Sequence, residues 1–250
     1  MTVFFALVRR ELGGVFKSWV GYVVMAVVLW QLGWSLLNLI SRLSGTSVTV
    51  PLPQLFYQSL YFWMILLTTA PLITMRSFAS ERASGTYEAL MTTPVGDVQV
   101  VLAKFTGSLL FYLLTWLPLL GVLAVLREVT QEPAFLEPNS TGGAFLGILL
   151  IGALYLAMGC FASALTRSQM VAAILSFMLG LGLWGLSLSS AGDRPALGPW
   201  GPVLDHISVI RQMTDFAAGV IDSRHLVFLI GGTFFFLFLT TRVVESRRWK

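Results

Sequence analysis

Hydrophobic residues in this chain come in long unbroken blocks, not in the alternation of a half-buried strand or the single stripe of a soluble helix. Six blocks stand out, at about Trp19–Ile40, Leu55–Met75, Phe105–Leu126, Gly143–Leu165, Gln169–Ser190 and Leu226–Thr241. Each approaches or exceeds the length of about 20 apolar residues that carries an α-helix through a hydrocarbon layer about 30 Å thick. In such a layer every backbone N–H and C=O must be bonded within its own segment, so the pattern predicts helices throughout. The expected fold is an all-α membrane protein, a single domain over residues 1–250 with six transmembrane helices.

The polar stretches between the blocks are organised. At the start, "MTVFFALVRRELGGVFK" sets Phe4, Phe5, Leu7, Val8 and Leu12 against Arg9, Arg10, Glu11 and Lys17. This predicts an amphipathic helix over residues 2–17 lying in the membrane interface, the alternative being a charged leader before the first span. Its basic residues follow the apolar ones and no small-residue cleavage site is present, which is unlike a cleaved secretory signal. Between the second and third blocks runs "ERASGTYEALMTTPVGDVQVVLAK". Ser77 to Met91 holds helix formers with Phe78, Tyr87, Leu90 and Met91 as an apolar minority and a break near Gly85. Thr93-Pro94 and Gly96 then supply a turn, and Asp97 is the expected cap of a helix entering the third span. A solvated loop is the simpler reading. A flexible tether, however, would favour Gly and Ser throughout and would not space aromatic and aliphatic residues at helical intervals.

The last loop before the sixth block contains a further periodic run. After the Pro- and Gly-rich "GDRPALGPWGP", "LDHISVIRQMTDFAAGVID" places Ile207, Ile210, Met213, Phe216, Ala217 and Val220 at helical spacing. Asp205 before His206 fits the N-cap of that helix.

Composition agrees with the membrane reading and narrows the function. Of the 250 residues, 56% are hydrophobic and 11% charged, well below the roughly 25% charged of soluble domains. Mean hydropathy is +0.80. With both termini cytoplasmic, eleven of the 16 basic residues fall on the inner side, as the positive-inside rule requires. That placement accounts for the net charge of +4 without a nucleic-acid partner. Cys160, the one cysteine, has no partner for an internal disulfide or a metal site.

The six blocks contain no Asp, Glu, Lys, Arg or His. This argues against an ion-coupled carrier, although carbonyls at broken helices can bind Na⁺. His206 and His225 lie near the last outer loop, away from any Ser or Cys nucleophile in a span, which argues against an intramembrane enzyme. "GGVFKS" lacks the Gly that a phosphate loop needs before its Lys, since Phe16 stands there. The expectation is a non-catalytic chain without a cofactor of its own. An ATP-driven machine built on it would handle its fuel on another subunit. "NST" at Asn139 matches a glycosylation acceptor, a pattern too short to use.

The run "MRSFASERASGTYEALMTTPVGDVQVVLAKF", Met75 to Phe105, resembles the cytoplasmic segment of permeases in the type-2 ABC exporter superfamily, where E-R-x-x-G-T-x-E-x-L-x-x-x-P follows the second span. The closing run Gly219 to Trp249 is similar to the permease of the gliding-motility ABC transporter, and more distantly to the nitrous-oxide-reductase maturation permease. The resemblance implies a multi-pass subunit of the bacterial inner membrane with a cytoplasmic coupling helix between spans 2 and 3. It further implies a separate ABC ATPase carrying ATP and Mg, and a second permease subunit, either a copy or a different chain with a large extracytoplasmic part. Glu81, Arg82, Gly85, Thr86, Glu88, Leu90 and Pro94 match the coupling motif. On this footing Glu81 and Glu88 would meet basic residues of the ATPase, Arg82 the reverse, and Tyr87 with Leu90 would form an apolar anchor. Arg9, Arg10 and Glu11 would neighbour the same partner. Ile207, Ile210, Met213 and Phe216 would gate the exit, or belong to a simple interfacial helix. Spans without charge leave lipids, apolar peptides, glycans and mechanical signalling open as the object of the work.

Overall fold

The computed structural model describes residues 2–43, 56–85, 96–130, 138–190 and 201–246. Among these the chain is helical, with no strand. The helices are α1 (Thr2–Phe16), α2 (Trp19–Leu43), α3 (Leu60–Thr74), α4 (Ala79–Ala83), α5 (Asp97–Thr130), α6 (Pro138–Leu165), α7 (Gln169–Ser190), α8 (Gly201–Ile207), α9 (Val209–Ala217) and α10 (Ser223–Glu245). Among the described residues six stretches are long and apolar enough to cross a membrane: Trp19–Asn38, Leu60–Ala83, Asp97–Val125, Pro138–Leu165, Gln169–Leu188 and Ser223–Glu245. They coincide with the six hydrophobic blocks.

The helices run past the ends of those blocks. Backbone hydrogen bonding does not stop where hydropathy does, so α5 opens at Asp97 and α10 at Ser223. Two consequences follow for charge. The apolar blocks hold no Asp, Glu, Lys, Arg or His, but the helices carrying them do: Lys104 lies in α5 and is buried, and His225 lies in α10 and is buried.

α6 is the hub. It packs against α3, α5, α7, α9 and α10, and its buried residues run from Gly143 to Ala164. Lipid tails are as apolar as leucine, so spans associate through close packing and not through hydrophobic exclusion, and small residues let backbones approach. α6 uses glycine where a neighbour is bulky. A Cβ at Gly152 would overlap the Tyr112 ring of α5, and one at Gly159 would overlap the Thr74 side chain of α3. Tyr112 in turn donates its hydroxyl to the Ile148 carbonyl at 3.2 Å. Cys160 is fully buried in the same helix.

Many of the hydroxyls inside the spans are satisfied locally. The hydroxyls of Thr69, Thr74, Thr106, Thr115, Ser187, Thr233 and Thr240 each donate to a carbonyl three or four residues earlier. This pairing lets a hydroxyl sit in hydrocarbon without an orphan donor.

Enlarging Gly159 to Val should lower stability by about 1–3 kcal/mol, the usual result of overpacking. Gly182→Ala, where the added atom meets nothing within 4 Å, should leave stability unchanged or raised by about 0.5–1 kcal/mol. Thermal unfolding of the purified chain in detergent checks both.

Candidate coupling site

The charged residues that the sequence places in three separate segments meet around one lysine. Lys104, in the early turns of α5, has 3% of its side chain exposed. Its Nζ lies 2.8 Å from Glu81 Oε1 of α4 and 3.1 Å from Glu11 Oε1 of α1. Arg10 Nη2 closes the cluster at 3.0 Å from Glu11 Oε1 and 3.5 Å from Glu81 Oε1. The Phe78 ring sits beneath the ammonium, 5.4 Å from Nζ to its centroid, a favourable cation–π distance. The four charges sum to zero, which a site withdrawn from water requires.

Each partner is delivered by a specific feature. α1 lies against α5, and one turn beyond Lys104 on α5 is Gly107, where an added Cβ would stand 3.0 Å from Glu11 Cβ. That bare backbone lets Glu11 reach the lysine. α4 is fixed from the opposite side by α6. Its N-cap position, Phe78, carries no capping side chain. Instead Ser163 Oγ of α6 accepts from the Phe78 and Ala79 N–H groups at 3.1 Å each and donates to the Met75 carbonyl at 3.2 Å. Arg82 Nη1 donates to the Ala164 carbonyl at the end of α6. α4 ends at Ala83, with Ser84 as its C-cap and Gly85 at φ 73°, a left-handed conformation that glycine adopts without strain. The short segment is therefore pinned by side chains from α1, α5 and α6.

Several residues of the expected coupling motif are brought together here and others are not. Glu81 and Arg82 are half-buried and turned to partners within the chain, which makes them anchors of the segment. Arg10 and Glu11 join them, while Arg9 is exposed on α1. Thr86, Tyr87, Glu88, Leu90 and Pro94 lie outside the described residues. Asp97 is the first residue of α5, in its first turn, and the Gly96 carbonyl before it accepts from Gln99 and Val100.

On the other face the expected single helix is broken. Asp205 does not cap it: it lies within α8 and pairs with Arg211 at 3.1 Å. The cap is Ser208, whose Oγ accepts from Arg211 N–H at 3.4 Å, while Ser187 Oγ of α7 accepts from Val209 N–H at 3.0 Å. Ile207 thus belongs to α8, and Ile210, Met213 and Phe216 to α9. Met213 and Phe216 are fully buried, packed where α6 is bare at Gly147. Val220 lies beyond the end of α9 and is exposed. His225 Nε2 meets Asp215 Oδ2 at 2.9 Å, tying α9 to α10 across the turn at Gly219.

Sequence reasoning missed Lys104 as a centre, Ser163 as a remote cap and the Asp215–His225 pair. Only Lys104 carried a signal, as a lone cation at the mouth of an apolar block with acidic residues in two neighbouring polar segments.

Among the described residues six long apolar helices, with α6 packed against α3, α5, α7 and α10, make this a multi-pass all-α membrane protein. Residues 42–242 match the ABC-2 family transporter protein family, and the chain belongs to that family. No curated protein matches the chain. The matched region contains Glu81, Lys104 and Ser163, and it starts after α1.

Glu11→Gln and Glu81→Gln should each be tolerated, because Lys104 keeps one carboxylate. The double variant should lose about 3–5 kcal/mol, more than the sum of the singles, because it strands a buried cation. Adding Lys104→Met to the double variant should restore most of that loss. Unfolding midpoints of the four proteins in one detergent check the cycle.

Proposed function

We propose that the chain is the permease subunit of an ATP-driven exporter or mechanotransmitter in a bacterial inner membrane, with both termini in the cytoplasm. A separate ABC ATPase would supply ATP hydrolysis, and a second permease subunit would complete the pathway. Similarity of the closing run to the gliding-motility permease favours that branch, in which the second membrane subunit carries a large extracytoplasmic part. Membership of the ABC-2 transporter family supports the class, and the Lys104 cluster supports the mechanism.

A lever needs a stiff mount, and the cluster provides one. α4 precedes the segment that bears Thr86, Tyr87, Glu88, Leu90 and Pro94. A partner pressing on that segment would load α4, which has little freedom to yield: Ser163 and Ala164 hold it to α6, and Glu81 holds it to α5 and α1. Displacement would pass as rigid-body motion of the spans, the usual form of switching in packed helical proteins. Tyr87 and Leu90 would give such a partner its apolar anchor, as aromatic and aliphatic residues do at interfaces.

The buried ionisable cluster favours a second reading. Charged groups within spanning helices often serve proton or ion coupling, so a carrier working without an ATPase would also keep Lys104, Glu11 and Glu81.

Affinity purification from native membranes decides between the two. A stoichiometric ABC ATPase is expected, and a chain that purifies alone under every nucleotide and detergent condition would favour the carrier. In the complex, Glu88→Ala with Arg82→Ala should lower ATPase association or stimulation while membrane insertion stays intact. A cysteine introduced as Ser84→Cys should be labelled only from the cytoplasmic side. Cys160, fully buried, should add no background.

A further inference from the structure

A cavity of about 310 Å³ lies beside the Lys104 cluster, enclosed by α1, the start of α2, the end of α3 and the early turns of α5. Its volume falls at the small end of the roughly 300–1,000 Å³ usual for ligand pockets. Its lining is part polar and part apolar. At the rim are Arg10, Ser18, Arg76 and Ser80. Deeper in each spanning helix come apolar residues, Val24 on α2, Leu72 and Ile73 on α3 and Phe111 on α5. The rim arginines are exposed, whereas Val24, Ile73 and Phe111 are buried. At the starts of α2 and α5 and at the end of α3 the lining thus passes from hydroxyl or guanidinium to hydrocarbon as each helix enters its apolar block.

The rim has an uncompensated cation. Arg10 is engaged with Glu11 and Glu81, and Glu11 also lines the cavity. Arg76 is different: its Nη1 donates to Ser18 Oγ at 2.7 Å, and among the described residues no carboxylate lies within ion-pair distance of it. A guanidinium can donate two parallel hydrogen bonds to a phosphate. Here it stands at the polar end of an apolar slot, beside hydroxyls at Ser18, Ser77, Ser80 and Ser108.

We propose that this cavity holds the phosphate and the upper part of one acyl chain of an anionic phospholipid from the leaflet on the N-terminal side, the phosphate on Arg76 and Ser18 and the chain against Val24, Leu72 and Phe111. The lipid would fill the gap between α1 and the spans and supply the negative charge that Arg76 lacks. The site is independent of the reading as an ATP-driven permease, and its test involves neither ATP nor transport.

The test is native mass spectrometry of the full chain released from nanodiscs of phosphatidylcholine doped with phosphatidylglycerol. The wild type should retain phosphatidylglycerol in preference to phosphatidylcholine. Arg76→Gln should reduce that preference about five-fold, the worth of one basic residue near an anionic lipid surface. Arg76→Lys should keep most of it. Gly14→Leu offers an independent variant, since Gly14 lines the cavity and an added Cβ there meets nothing within 4 Å. It should lower retention by occupancy of the slot with every charge still in place. Equal retention of the two lipids by the wild type would overturn the proposal. So would unchanged preference in both Arg76→Gln and Gly14→Leu, or displacement of phosphatidylglycerol by millimolar inorganic phosphate, which would mark a site for free phosphate.

Discussion

A lysine ammonium at 3% exposure is a strong constraint on the path of a chain. Outside water it is stable only beside opposite charge, since an uncompensated buried ion costs several kcal/mol. Its two carboxylates come from residues 93 and 23 positions away, so meeting the lysine's requirement sets tertiary structure. α1 has to cross α5, and the chain leaving α3 has to fold back against α5 and α6 before it continues. The exposed pairs, such as Arg242 with Glu245, impose nothing comparable, because surface ion pairs are worth little.

The opposite requirement governs the spans, where close contact replaces charge. α6 meets bulky neighbours with glycine along its whole length: Gly147 under Met213 and Phe216, Gly152 under Tyr112, Gly159 under Thr74. The same helix holds Ser163, which caps α4. From Gly147 to Ser163 is about 24 Å at 1.5 Å per residue. One stiff element therefore touches the short helix α9 near one end and the pinned segment α4 near the other. Close packing on all sides makes it a poor candidate for bending and a good one for transmitting a shift.

How much of this was legible follows from the range of the interactions. The six spans were readable because hydropathy blocks are a local property and the bilayer fixes their length. α1 and the run-on of α5 were readable for the same reason. The break at Ser208 was hidden because the apolar spacing from Ile207 to Phe216 continues through it, and a capping serine looks like any other serine. Asp205 offered a plausible cap, but its carboxylate is used by Arg211. Lys104 stands in the sequence as one more basic residue at the edge of an apolar block; that it is buried depends on Glu11 and Glu81 arriving from elsewhere. Ser163 and the Asp215–His225 pair act across space with no mark in the sequence.

Charge balance in the cluster also separates its parts by how easily they move. Withdrawing α1 takes away Arg10 and Glu11 together, one charge of each sign, and leaves Lys104 with Glu81 at 2.8 Å as a neutral pair. Withdrawing α4 takes Glu81 alone and leaves two cations on one carboxylate, while also uncapping α4 from Ser163. The first separation leaves the cluster neutral; the second leaves Lys104 with Glu11 but gives the cluster one positive charge in excess, and it frees the two N–H groups that Ser163 holds. α4 is thus the more firmly fixed to the spans, and α1 is the element that can part from them without changing the balance of charge. α1 also lies outside the region that matches the ABC-2 family, and it forms one wall of the cavity beside Arg76. A ligand in that cavity would bear chiefly on the docking of α1 and would meet α4 through Ser80.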